Sequence, residues 1–259
     1  MNYYLKTEIK KIVDFQKLKI IYFSLYFIKL FLNLNILALW NMLFQLFEDD
    51  KMIEKIRRKL PYMFFIAEIE MSKSGKVGME VGTLREQILI ALLIYKFGYE
   101  NVKLNPIANE NFDLELYGKP VSIKTIKKIL PKRIKKFSGS GIKLVWTVDW
   151  EKVENFYRNY EPRSEIILVE VSWYKNGGLY YIPLEVQREI FEEIGRDRYL
   201  YRHKKGTNPR GVEISNEGIK MLIEHPQAKK IDIFWEKPEI GADIIYKPYQ
   251  RWVELWAEE

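Results

Sequence analysis

The chain has 259 residues, 47% of them hydrophobic and 15% aromatic, enough for one or two domains with a real core and too apolar for a disordered segment. It has no cysteine and only two histidines, His203 and His225. Disulfides, thiolate zinc sites and hydrolases built on histidine clusters are therefore excluded, and any chemistry must run on carboxylates and lysine. The formal charge of +7 suits a polyanionic partner.

Residues 1–51 differ from the rest. Between positions 20 and 47 the only charge is Lys29, a length that would allow a membrane span. Asn33, Asn35, Asn41 and Gln45 would be costly in lipid, and no small-residue cleavage site follows the apolar run. A hydrophobic helical extension or an over-extended start, with translation beginning at Met52, explains the segment better than an anchor. Residues 52–259 are then one domain and a membrane partner is not expected. Within it, 53–60 reads as a short basic helix stopped by Pro61, and 67–82 as a glycine-bearing loop. Thr83-Leu84-Arg85-Glu86 has the pattern of a capping box opening an apolar helix that Gly98 ends. Glu86 would in that case bond the N-cap amide, unless it serves as a ligand.

Positions 109–126, NENFDLELYGKPVSIKTI, organise the chain. Residues 112–116 and 121–125 each alternate apolar and polar, as half-buried strands do. A two-residue turn at Gly118-Lys119 makes them a hairpin with Asp113 opposite Lys124 and Glu115 opposite Ser122. Those four side chains share one face, while Leu114, Leu116, Val121 and Ile123 face a core. Asp113 and a second carboxylate could hold Mg²⁺, which prefers oxygen ligands, with Lys124 orienting a water or holding a phosphate oxygen. On spacing alone, a surface hairpin with a cross-strand ion pair is the simpler reading.

The same residues resemble the PD-(D/E)xK nuclease family, which includes most type II restriction endonucleases. Asn111-Phe112-Asp113 stands for the first half of its motif and Ser122-Ile123-Lys124 for the second. Phe112 replaces the proline, and Ser122 replaces the second acid, so a carboxylate must come from elsewhere: Glu115 or Glu86. The resemblance spans residues 78–175 by order of elements. It implies a restriction-endonuclease-like α/β core, a mixed central β-sheet flanked by helices. It also implies Mg²⁺ held by Asp113, a second carboxylate and the Ile123 carbonyl, with Lys124 positioning the attacking water.

From 119 to 143 the chain is basic, including Lys127, Lys128, Lys132, Arg133 and Lys136, with no acid between Glu115 and Asp149. Such a block beside the hairpin would draw in a DNA backbone by counterion release. Strands at 143–148 and 166–173 flank a helix at 151–160, a strand–helix–strand order in one mixed sheet. Trp146, Trp150 and Trp173 read as core. Asn176-Gly177-Gly178 turns a second hairpin returning through 179–182, and Pro183 opens a helix that Gly195 closes. Residues 199–215 form a loop whose Arg202, His203, Lys204, Lys205, Asn208 and Arg210 suit base reading or phosphate clamping. Ser215 caps a helix to 224, and 230–235 is a late strand.

The expectation is thus a cytoplasmic type II restriction endonuclease, cutting double-stranded DNA with Mg²⁺ at a short sequence. Palindromic sites call for a homodimer. The alternatives are a junction or repair nuclease of the same fold, a DNA-binding protein whose site has decayed at Ser122, and a membrane-tethered protein.

Overall fold

The computed structural model describes residues 42–73, 79–105, 112–127, 141–202 and 211–239. The chain divides into two compact units, residues 1–45 and 46–259, and the second carries the fold. Among the described residues no helix is long and apolar enough to cross a membrane. Most of the apolar run at 20–47 lies outside them.

Two long helices follow the short helix Phe44–Glu48. In α1 (Asp50–Lys73), Met52, Ile56, Leu60, Phe64 and Ala67 are buried at three- and four-residue spacing, a single helical stripe. Phe64 rests on Trp235, with ring centroids 5.3 Å apart. The helix therefore continues straight through Pro61, where a stop was expected. Burial of the stripe on both sides of the proline outweighs the roughly 3 kcal/mol that proline costs in a helix interior. The next helix, α2 (Met79–Phe97), also begins earlier than its sequence suggests. Thr83 lies inside it, so Thr83 and Glu86 form no capping box. Gly98 ends it with φ 88°, as expected.

A six-stranded mixed sheet follows, in the order β1-β2-β3-β5-β6-β9. Its strands are β1 (Val102–Leu104), β2 (Leu114–Leu116), β3 (Lys119–Lys127), β5 (Glu165–Val171), β6 (Asn176–Ile182) and β9 (Lys229–Phe234). Only β3 and β5 run parallel. Their connection is a crossover through β4 (Ile142–Val145) and α3 (Trp150–Asn159), which Asp149 caps by accepting from the amides of Glu151 and Lys152. The expected strand–helix–strand order is present, but β4 leaves the main sheet. It joins β8 (Val212–Ile214) and β7 (Leu200–Arg202) in a second, three-stranded sheet.

The β2–β3 hairpin turns at Tyr117-Gly118, with φ 51° and 76°, not at Gly118-Lys119. Positive φ at both central residues is the type I′ turn that matches strand twist. Leu114 pairs with Val121, Glu115 with Pro120 and Leu116 with Lys119. The expected register, with Asp113 opposite Lys124 and Glu115 opposite Ser122, is thus displaced by two residues. A two-residue displacement leaves every side chain on its expected face, since the strand period is two.

The core lies on both faces of the sheet. Ile126, Ile166, Leu168, Tyr180 and Ile182 pack with α3, α4 (Leu184–Ile194), α6 (Asn216–Glu224) and the second sheet. Between α4 and β7 comes the short helix α5 (Arg196–Tyr199). Pro183, Gly195 and Ser215 bound their helices as expected, with Ser215 Oγ accepting from Gly218 N at 3.0 Å. Trp146 is 51% exposed rather than core, because β4 ends at Val145 and the chain leaves the sheet there. Trp173 does pack inward, against Trp235 and Phe65. The β5–β6 turn falls before Asn176, at Tyr174 with φ 61°. Position 177 lies within β6 and has room only for glycine, since a Cβ there would meet the Glu170 carbonyl at 2.2 Å.

Candidate active site

β2 begins one residue after Asp113, while its partner β3 runs on past that level to Lys127. Along the β3 edge that faces β2, the Val121 carbonyl accepts from Asp113 N at 3.0 Å. The next amide on that edge, Ile123 N–H, has no β2 carbonyl to reach. It donates to Asp113 Oδ2 at 2.6 Å. The carboxylate thus takes the place of a missing rung, which fixes it at the point where the two strands part. Because a strand residue presents N–H and C=O to the same edge, the Ile123 carbonyl lies on that edge too. Lys124 Nζ is 3.4 Å from the same Asp113 oxygen.

Glu86, on α2, feels the charges of both members of this pair. Burial raises its carboxyl above the usual range, the charge of Asp113 raises it further, and Lys124 partly offsets both. Glu86 is therefore an electrostatic neighbour of both Asp113 and Lys124. Its position in the body of α2 removes the capping role that competed with a ligand role. Glu115 sits elsewhere: opposite Pro120, it lies about 13 Å along β3 from the level of Lys124, at ~3.3 Å per residue.

Ser122 is buried and accepts from Ser164 Oγ at 3.0 Å. Ser164 in turn has its carbonyl bonded by Gln187 Nε2 at 2.9 Å. These contacts tie β3 to the segment leading into β5 and to α4. Nothing in the sequence marks Ser164 or Gln187, because their part depends on the parallel pairing of β3 with β5. A cavity of about 230 Å³ opens on this side of Lys124.

Of the expected DNA contacts, Lys127 ends β3. Arg202 ends β7, where Glu154 pairs with its guanidinium and the Tyr157 ring lies beneath it at 4.1 Å. Lys128, Lys132, Arg133, Lys136, Lys204, Lys205, Asn208 and Arg210 lie outside the described residues.

A mixed sheet with one central parallel pair, flanked by helices and carrying Asp113 and Lys124 where β2 and β3 part, defines a restriction-endonuclease-like α/β core. The family model for the restriction endonuclease ThaI matches residues 46–258. A solved structure described as a restriction endonuclease in complex with substrate DNA is 48% identical, with a TM-score of 0.72 over 84% of this chain and 99% of its own. No curated protein matches. The chain belongs to the ThaI restriction endonuclease family.

Proposed function

We propose that the protein is a type II restriction endonuclease that hydrolyses phosphodiester bonds of double-stranded DNA at a short specific sequence. On this reading it requires Mg²⁺ and acts in the cytoplasm as a homodimer. The observation that carries it is the Asp113–Lys124 pair where β2 and β3 part, with Glu86 as its electrostatic neighbour. The structural relative described with substrate DNA supports DNA as the partner.

The residues present fit a divalent cation. Among the described residues no three carboxylates, histidines or cysteines cluster. Mg²⁺ does not need such a cage, since it keeps several waters and takes one or two carboxylates plus substrate phosphate. Asp113, Glu86 and the Ile123 carbonyl would hold it. A buried carboxyl raised by a second carboxylate is what an added cation would relieve. Bound there, the metal would supply an acidified water and charge neutralisation at the phosphate.

The chain's own groups do the rest. Asp113 holds the Ile123 amide and so fixes the strand that presents Lys124. Lys124, half-buried and already 3.4 Å from a carboxylate, places its ammonium where it can donate to a water or a phosphate oxygen. Ser122, bonded to Ser164, holds β3 in place and leaves the second carboxylate to α2. Digestion of plasmid DNA tests the reading. Discrete fragments that require Mg²⁺ are expected; a preference for branched DNA would make it a junction enzyme, and binding without cleavage a non-catalytic protein.

A further inference from the structure

The cavity beside Lys124 is bordered by residues with no part in the site described above. Asn155, Asn159, Glu161 and Arg163 line it together with Ser122 and Lys124. Its volume of about 230 Å³ is far above the roughly 10–15 Å³ that one water needs. Two observations set Arg163 apart. Its backbone is clamped on both sides: Pro162 and Ser164 are buried, and Ser164 is bonded to Ser122 and to Gln187. The bond to Ser122 lies two residues from Lys124 on the same strand, so Arg163 and Lys124 share one frame. The side chain itself is exposed, and among the described residues no carboxylate pairs with it. Nearby, Asn159 Nδ2 donates to the Asn155 carbonyl and side-chain oxygen at 2.9 and 2.8 Å, which leaves the side-chain amide of Asn155, itself a lining residue, available as a donor.

A guanidinium on a rigid frame is suited to planar recognition of phosphate. The geometry points to Arg163, assisted by Asn155, as the group that holds the DNA phosphate next to the one at Lys124. This inference rests on the nuclease reading. Arg163 touches backbone and not bases, so it positions the strand without selecting its sequence. Glu161, exposed on the same cavity, opposes the phosphate and limits how tightly DNA is held.

The test measures binding of a fluorescent duplex bearing the site mapped by plasmid digestion, and of an unrelated duplex. It is run across a salt series with Ca²⁺ in place of Mg²⁺. Arg163→Ala is expected to weaken both duplexes by about tenfold and to lower the salt slope by ~1. Arg163→Lys recovers part of the loss, and Glu161→Gln shifts affinity the opposite way, with melting temperatures unchanged throughout. A neutral methylphosphonate at the neighbouring position should cost wild type the same factor and cost Arg163→Ala nothing further. Wild-type affinity and slope in Arg163→Ala overturn the inference alone, as does a loss confined to the cognate duplex. Wild-type protein that neither binds nor cuts DNA overturns the nuclease reading along with it.

Discussion

Asp113 Oδ2 accepts the Ile123 amide at 2.6 Å, so one carboxylate both closes a backbone rung and faces Lys124. These two roles separate on mutation. Asp113→Ala leaves a buried amide unpaired, which costs about 1–3 kcal/mol, whereas Asp113→Asn keeps an acceptor in place. Both variants are expected to lose cleavage by at least ~10²–10⁴-fold, the span typical of a lost acid–base or positioning group. Thermal unfolding should then separate them, with the asparagine variant near wild type. Lys124→Ala should lose activity similarly with little change in melting temperature.

Glu86 carries a stability cost in the metal-free protein. Its carboxyl is raised in the fold, mainly by burial, so the folded state binds the proton more tightly than the unfolded chain. Stability should therefore fall as pH rises from the ordinary glutamate range through the raised value, and level off above it. Glu86→Gln removes the buried charge. At neutral pH without metal it should melt higher than wild type and lose that pH dependence. The same variant should gain less from added Mg²⁺ than wild type does. A lower melting temperature for Glu86→Gln in EDTA would refute the burial argument.

Arg202 is engaged by Glu154 and Tyr157 at the end of β7. Arg202→Ala is expected to lose up to about 1–2 kcal/mol through a partly exposed ion pair and a cation–π contact. Preference for the cognate sequence should survive. Loss of that preference with unchanged stability would make Arg202 a base reader.

Gly177 is tested by alanine. The added Cβ would meet the Glu170 carbonyl at 2.2 Å and the Trp235 indole nitrogen at 2.7 Å, both in the packed interior. A destabilisation of about 1–3 kcal/mol is expected, several degrees of melting temperature in a domain of this size.

The meeting of Asp113 and Lys124 in the candidate site was legible because strand faces depend only on alternation. Asp113 and Lys124 share a face whichever even register the hairpin adopts, so their convergence survived an error in the turn. The register itself was not legible. Gly118 offers positive φ by its chemistry, and nothing local announces that Tyr117 adopts it too. Helix limits failed for another reason: Pro61 and the Thr83-Glu86 pattern are local stop and start signals, and packing across them outweighed both. The second sheet rests on β8, which pairs with β7 on one side and the more distant β4 on the other; β7 and β8 are each three residues long, too little pattern to read in a chain.

The most direct test of the site is single-turnover cleavage of a supercoiled plasmid in Mg²⁺ by wild type, Glu86→Gln and Glu115→Gln. Glu86 as the electrostatic neighbour of Asp113 and Lys124 predicts that Glu86→Gln falls by ~10²-fold or more, while Glu115→Gln cuts at a rate close to wild type. Full activity in Glu86→Gln, or collapse of Glu115→Gln with its fold intact, would contradict the assignment of the second carboxylate to α2.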